Sequence, residues 1–213
     1  MNRKASSVLS SVVFSLFFTV FAAVAQAEVY DLDKAHSTIG FEVSHLTISK
    51  VMGSFGEYTG MINFDPKNAD QASAEVSIDV NSINTNVEGR DKHLKSKDFF
   101  DAEGFPKITF KSSKFVSKGE GAYDIVGTLT IKGVSKEITI PVTISGPITS
   151  PMGGGLAIGL SGQTEINRQD YGVTWNKTMD NGGLMVGDNV KIVVNFEAHE
   201  KKAEEAPKME EKK

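Results

Sequence analysis

The side chains best suited to chemistry in this sequence are four histidines and one serine. His36, His45, His93 and His199 lack the spacing of a His-x-x-x-His or His-Glu-x-x-His zinc motif, and there is no cysteine to supply a thiolate. Ser161 lies in Gly-Leu-Ser-Gly, which does not match the Gly-x-Ser-x-Gly pattern of a nucleophile elbow. The sequence therefore predicts no catalytic residue, no cofactor and no metal ligand.

A charged segment from Gly89 to Phe110 interrupts a series of strand patterns. Its residues Arg90, His93 and Lys97 stand at i, i+3 and i+7, which would place them on one face of a helix. An arginine on that face would suit an anionic head group such as a diphosphate. The nearby acidic residues favour the alternative, a solvated helix whose apolar residues plug one end of a barrel. The residues that would cap this end are Leu94, Phe99 and Phe100.

The elements that must position these residues are β-strands. Apolar and polar residues alternate along the chain, as expected where one face of a strand is dry and the other is wet. Clear examples are Ile39 to Val43, Val76 to Val80, Ile138 to Ile144 and Val190 to Phe196. The pattern recurs about eight times, and the turns between the repeats are too short for helical crossovers, which indicates an antiparallel meander.

A sheet of this kind closes into a barrel or folds into a sandwich. We favour the barrel because long strands in a sandwich leave unpaired edges. An outer-membrane barrel also alternates, but turning its apolar face outward would leave many lysines and glutamates inside a narrow barrel. The predicted fold class is all-β: an eight-stranded antiparallel barrel with a short helical insert capping one end.

Residues 1–27 have the features of a secretory signal peptide. Arg3 and Lys4 precede an apolar run, and a small-x-small pattern ends at Ala27. Cleavage there would start the mature chain at Glu28. The apolar run is shorter than the roughly 20 residues that a spanning helix needs. An uncleaved anchor is the alternative, and we expect no stable membrane insertion after cleavage.

The remaining chain divides into a predicted barrel domain at residues 28–198 and a tail at residues 199–213. The domain is long enough for one substantial core. The formal net charge is −4, and loss of the bases in the signal peptide makes it more negative, which argues against nucleic acid as a partner. The tail is rich in charge and poor in apolar residues, which predicts disorder, with partner binding as the alternative.

Six ordered motifs make the chain similar to the YceI-like family of exported, lipocalin-like proteins that bind polyisoprenoids or related lipids. The resemblance covers nearly all of the predicted domain. It rests on Tyr30 to Ser37, Val43 to Leu46, Arg90 to Asp101, Phe105 to Phe110, Gly127 to Val134 and Asn167 to Gly172.

This resemblance implies an extended eight-stranded antiparallel lipocalin-like β-barrel with a long apolar cavity, located in the bacterial periplasm. It implies no reaction. The Gly-x-Trp signature of true lipocalins is absent near the N-terminus, and the sole tryptophan is Trp175. The kinship to lipocalins is therefore one of architecture.

A barrel of this size has room for one slender ligand. Apolar walls offer no hydrogen bonds, so the predicted partner is a long-chain isoprenoid or acyl lipid. Burying some fifteen carbons at about 0.8 kcal/mol each gives roughly 12 kcal/mol before the cost of ordering the chain. The predicted ligand-binding residues are Phe41, Val43, Val76, Ile78, Phe110 and Leu129 in the wall, with Arg90, His93, Phe99 and Phe100 at the capped end.

Two other functions stay open. One is an enzyme that acts on such a lipid with His36 or His93 as acid or base, and the other is a structural or stress-response module with a filled core. A strand with small outward residues, from Gly155 to Ser161, leaves room for a homodimer. Before the last strand, Arg168 is predicted to contact Asp170.

Overall fold

The alternating segments form eleven strands in the part of the chain that the computed structural model describes, which is residues 28–151, 155–180 and 182–201. The predicted signal peptide lies outside the described residues, as does most of the predicted tail. The elements are β1 (Glu28–Leu32), β2 (Thr38–His45), β3 (Ser49–Phe55), β4 (Tyr58–Phe64), β5 (Ser73–Asp79), β6 (Ile83–Asn84), α1 (Glu88–Lys95), β7 (Lys107–Gly119), β8 (Ala122–Ile131), β9 (Val134–Thr149), β10 (Leu156–Asn167) and β11 (Val186–Glu200), with short 3-10 helices at Ala69–Gln71, Val80–Ser82 and Arg168–Tyr171.

Eight of these strands form a closed antiparallel ring in the order β1, β4, β5, β7, β8, β9, β10, β11 and back to β1. The other three strands extend the sheet beyond the ring. β2 pairs with β11, β3 pairs with β2, and β6 pairs with β3. Closure leaves the ring without the free edges that an open sheet would expose. The predicted fold class, an all-β eight-stranded antiparallel barrel with a helical insert, is confirmed.

Successive side chains of a strand point to opposite faces of the sheet, so every second residue points into the barrel. Along β8, Tyr123, Ile125 and Leu129 are buried, whereas Thr128 faces outward. Gly127 also faces inward, where a Cβ atom would lie 2.6 Å from Phe110 Cζ. The missing side chain at Gly127 makes room for the phenylalanine ring inside the barrel.

The barrel end near the hairpin between β7 and β8 is filled by aromatic side chains. The Phe64 ring lies 5.6 Å from the Tyr123 ring and 6.5 Å from the Phe115 ring. Tyr30 is only 1% exposed in the same core. This aromatic plug, Tyr30, Phe64, Phe115 and Tyr123, closes the interior at that end.

The insert, residues 85–106, covers the opposite end. Asp91 Oδ1 accepts hydrogen bonds from the Thr85 backbone N–H and hydroxyl, which fixes the start of α1. Beyond the helix, Phe99 and Ala102 are buried. Lys132, in the hairpin between β8 and β9, donates to the carbonyl oxygen of Lys97 and so ties the insert to the barrel rim.

The last strand continues past the predicted domain boundary at Ala198. His199 pairs with Asp31 and Glu200 with Tyr30 in the ladder between β1 and β11. Glu200 Oε2 also accepts a hydrogen bond of 2.7 Å from the Leu156 backbone N–H. These two residues, predicted as the start of the tail, help to close the barrel.

Among the described residues, no helix is long and apolar enough to cross a membrane.

Candidate ligand-binding site

The barrel interior next to the insert contains an apolar cavity of about 190 Å³. Side chains from the strands form its wall, and side chains from the insert cover it. The predicted residues that line it are Phe41, Val43, Val76, Ile78, Phe110, Leu129, Phe99 and Phe100. Their contact with a ligand stays a prediction.

Several inward-facing side chains are only half-buried because their free faces line the cavity. Ile138, Ile140 and Ile192 project into the interior from β9 and β11, yet each keeps accessible surface. Val76 on β5 and Phe110 on β7 also line the cavity and are half-buried, so side chains from several strands around the barrel bound it.

A row of aromatic rings connects the wall to the insert. Phe41 on β2 lies 5.9 Å from Phe55 on β3, and Phe55 lies 6.3 Å from Phe100 in the insert. Leu94 of α1 also lines the cavity. Because the cover consists of apolar side chains from one short segment, movement of that segment would open the cavity.

Arg168 brings a charge to the cavity lining, but the protein itself uses that charge. The guanidinium is buried and donates to the carbonyl oxygens of Val173, Trp175, Val186 and Gly187. Its remaining donor meets Asp188 Oδ1 at 3.1 Å. An arginine has five N–H donors, so none is left over for a ligand.

Arg168 does not make the predicted contact with Asp170. That prediction is wrong: Arg168 forms its ion pair with Asp188, and Asp170 lies 3.8 Å from Lys136. Burial lowers the pKa of the Arg168 guanidinium, and Asp188 opposes that effect. Burial also raises the pKa of Tyr171, a second polar residue in the lining.

The predicted basic face on the insert does not form. Lys97 lies beyond the end of α1 at Lys95, so it is not on the helix with Arg90 and His93. Arg90 donates through Nε to the Thr85 hydroxyl at 2.7 Å and through Nη2 to the Thr85 carbonyl at 2.8 Å. Arg90 thus ties α1 to Thr85 at the start of the insert, and neither Arg90 nor His93 lines the cavity.

His93 belongs to a small aromatic cluster outside the cavity. Its Nε2 lies 2.8 Å from Asp98 Oδ2, and its ring meets Phe99 and Trp175 edge-on, each at 5.0 Å. Phe99 also faces the cavity. His93 therefore packs against the insert residue Phe99 from outside the cavity.

Comparison with known proteins gives the family. The model of the YceI-like domain matches residues 30–198. The chain belongs to the YceI-like family. A UPF0312 protein of Staphylococcus aureus is 39% identical over 168 residues, which is 79% of this chain and 95% of the relative.

Three solved structures share the fold of this chain. The Campylobacter jejuni YceI protein is 37% identical with a TM-score of 0.65, covering 80% of this chain and 97% of that one. Burkholderia cenocepacia BcnA is 29% identical with a TM-score of 0.69, covering 78% and 98%. A polyisoprenoid binding domain from Saccharophagus degradans is 18% identical with a TM-score of 0.61, covering 83% and 100%, and shares the fold.

Further residues line the cavity beside those that the sequence predicts. Ile138, Ile140, Val190 and Ile192 line it and share the inward parity of their strands. The same alternation that selected Phe41 and Val76 would have selected them. Arg168 gave no such signal, because its partners come from a loop and from the start of β11.

Proposed function

We propose that the protein binds one long hydrocarbon chain, of polyisoprenoid or fatty-acyl type, inside the barrel and carries or sequesters it without catalysis. The observation that supports this is the apolar cavity of about 190 Å³ beneath the insert. Its wall offers burial of apolar surface, which stabilises a bound chain by about 0.8 kcal/mol per methylene. A filled core would offer no such space.

The size of the cavity favours a slender ligand. Pockets for drug-sized molecules run to about 300–1,000 Å³, so this space is small for such a molecule. At one end the aromatic plug sets the depth that a chain can reach. At the other end the insert would move aside, with Leu94 and Phe100, to admit a longer stretch of chain.

Binding without catalysis fits the chemistry of the lining. Among the described lining residues, the polar side chains are those of Arg168 and Tyr171. The donors of Arg168 are held by the protein, and His93 lies outside the cavity. His36 borders a depression on the outer surface instead. None of the described histidines lines the cavity, which supports binding without catalysis.

The family and the fold agree with this proposal. The Saccharophagus degradans domain, described as polyisoprenoid-binding, shares the fold at 18% identity. We also propose that residues 1–27 direct export to the periplasm and are removed after Ala27. A carrier there would shield a hydrocarbon chain from water between membranes.

Native mass spectrometry of the protein purified from its own host tests the proposal directly. We expect a fraction of the protein to carry one lipid per chain, released as a long-chain species on activation. Delipidated protein should then take up a palmitoyl or farnesyl probe. Failure to find lipid in the purified protein, together with failure to load either probe, would contradict the proposal and favour a structural module.

A pair of valine substitutions separates cavity binding from adhesion to the surface. Val76→Phe fills the cavity, because Val76 lines it and is half-buried. Val116→Phe makes the same change on the outward face of β7, where Val116 is exposed. We expect Val76→Phe to lose probe binding by tenfold or more and Val116→Phe to keep it. Equal binding by both variants would place the probe outside the barrel.

A further inference from the structure

A cluster of potential metal ligands lies on the outer face of the barrel, away from the cavity. Asp33, Glu197 and His199 bring one ligand atom each to within 4.8 Å of one another. His199 Nε2 lies 3.0 Å from Glu197 Oε1 and 3.6 Å from Asp33 Oδ2. All three residues are half-buried.

These distances suit the coordination shell of a small divalent metal. Nitrogen and oxygen ligands bind zinc at about 2.0–2.2 Å, so neighbouring ligands around a tetrahedral ion stand about 3.4 Å apart. The two measured separations fall on either side of that value. The donor set is one imidazole and two carboxylates, which zinc and its neighbours in the first transition row accept.

The backbone holds the three side chains in register. Glu197 and His199 are two residues apart on β11 and therefore project from the same face. Asp33 follows β1, which pairs with β11, and its backbone N–H donates to the Glu197 carbonyl at 2.9 Å. The Ser37 hydroxyl accepts from the Glu197 backbone N–H at 3.1 Å. Glu197 and His199 thus stand on the sheet, and a backbone hydrogen bond ties Asp33 to it.

A second histidine orients one of the carboxylates. His36 Nδ1 lies 2.7 Å from Asp33 Oδ2, and the Ala35 backbone N–H donates to Asp33 Oδ1 at 2.8 Å. Groups that hydrogen-bond to a metal ligand in this way fix its direction. His36, Glu197 and His199 also border a surface depression of about 630 Å³, whose other walls include Ser145, Gly159 and Ser161.

We propose that Asp33, Glu197 and His199 form a binding site for a divalent transition-metal ion such as zinc. His36 is the positioning residue for Asp33. The depression beside the cluster leaves space for a water molecule or an external ligand to complete the coordination shell. Sequence spacing alone could not reveal this site, because Asp33 and His199 come from opposite ends of the domain.

Isothermal titration calorimetry of the chelator-treated full chain with zinc chloride tests the proposal. We expect one zinc ion per chain, and no heat of binding with magnesium or calcium chloride, since imidazole is a poor ligand for those hard cations. Zinc should also raise the Tm. Absence of zinc binding, or equal binding of magnesium, would overturn the proposal.

Variants locate the ion. His199→Ala should abolish the one-to-one binding, and Glu197→Gln, which keeps the shape of the side chain, should weaken it at least tenfold. His93→Ala is the matched control, because His93 also pairs with a carboxylate, that of Asp98 at 2.8 Å, on the insert. His36 is a positioning residue, so His36→Ala should lower the affinity for zinc by about tenfold. Unchanged affinity in both His199→Ala and Glu197→Gln would show that zinc binds elsewhere.

Discussion

The ring of Phe41 lies over Gly53 on the neighbouring strand. The two residues are paired directly in the ladder between β2 and β3, and a Cβ atom at position 53 would lie 2.4 Å from Phe41 Cζ. Gly53 therefore provides the space in which this ring lies flat against the barrel wall. Because Phe41 lines the cavity, the absence of a side chain at Gly53 also sets the width of the cavity.

Gly53→Ala should narrow the cavity. The added methyl group would meet both Phe41 and Thr85 Cγ2, the latter at 2.8 Å, and the free direction for the Phe41 ring is inward. Overpacking of this kind costs about 1–3 kcal/mol, which we expect to divide between stability and affinity for a hydrocarbon chain. Displacement of a fluorescent fatty acid measures the change in affinity, and the Tm measures the change in stability.

Gly56→Ala is the control for this change, since the nearest atom to an added Cβ there is 3.9 Å away. It should bind the fatty acid as the wild type does. If Gly53→Ala also matched the wild type in both affinity and Tm, the Phe41 ring would not limit the cavity.

The wall of the cavity could be predicted from sequence because period two decides which side of a strand a residue faces. Phe41, Val76 and Leu129 were placed on the inward side by parity alone, and all three line the cavity. The antiparallel meander was also predictable from the number of strands and the short turns between them, and its closure from the cost of unpaired strand edges. These features depend on the local sequence pattern, and they depend little on which residues far apart in the chain contact one another.

The polar contacts could not be predicted in the same way. Arg168 has an aspartate two residues away at Asp170, but it pairs with Asp188, which the start of β11 brings alongside. Likewise Arg90 donates to Thr85, a contact that the helical spacing did not indicate. A charged side chain chooses among many partners, and only the folded backbone decides which of them is within reach.

Replacement of Arg168 should destabilise the barrel strongly. Arg168→Met would leave the carbonyls of Val173 and Trp175 without their donor and Asp188 without its ion pair. Leaving a buried acceptor such as the Val173 carbonyl without its donor costs about 1–3 kcal/mol, and the half-exposed pair with Asp188 adds less than a buried one would. Urea unfolding followed by the fluorescence of Trp175 gives the free energy of unfolding.

Arg168→Lys should also be destabilised, because an ammonium group has three donors where the guanidinium uses five. Lys136→Met removes the exposed ion pair with Asp170 at 3.8 Å and should cost less than about 1 kcal/mol. A similar loss in Arg168→Met and Lys136→Met would mean that the arginine network contributes little.

Ligand entry beneath the insert should change the fluorescence of Trp175. This is the sole tryptophan of the chain, and its ring lies 5.2 Å from the ring of Phe99, which faces the cavity. We expect a saturable change in emission with the same midpoint as binding measured by mass spectrometry. Trp175→Phe should lose the signal and keep the binding. Binding with no change in emission would argue for entry at another place.

Acid should weaken the contacts of the Asp79 carboxylate at the end of β5. The pKa of Asp79 lies below its ordinary value, first because the Asn81 backbone N–H donates to the carboxylate at 2.9 Å and then because Lys107 donates at 3.2 Å. A lowered pKa means that the stabilisation is complete above the unfolded value near pH 4 and is lost as the pH falls through the folded value.

The Tm of Asp79→Asn should therefore fall below that of the wild type at neutral pH, and the difference should shrink as the pH drops below about 4. Asparagine keeps an acceptor for the Asn81 N–H, so the variant isolates the charge. Asp70→Asn, in an exposed 3-10 helix, is the control. A difference that stayed constant from neutral to acid pH would show that the charge of Asp79 is not the cause.

Removal of the plug should lengthen the cavity. Phe64 is 2% exposed and packs against Phe115 and Tyr123. It lies two residues along β4 from Ile62, which lines the cavity. Phe64→Ala should cost about 3–5 kcal/mol of stability, as large-to-small changes in a core do. The vacated space would adjoin the end of the cavity, so the preferred acyl chain should become longer.

Affinities for saturated fatty acids of increasing length measure this shift. The wild type should reach its best affinity at a shorter chain than Phe64→Ala does, with each added methylene worth up to about 0.8 kcal/mol until the chain meets the end of the cavity. Phe105→Ala, at an exposed position in the insert, should leave the optimum unchanged. If Phe64→Ala lost stability but kept the chain length of the wild type, the neighbouring side chains would have collapsed into the space, and the plug would not set the depth.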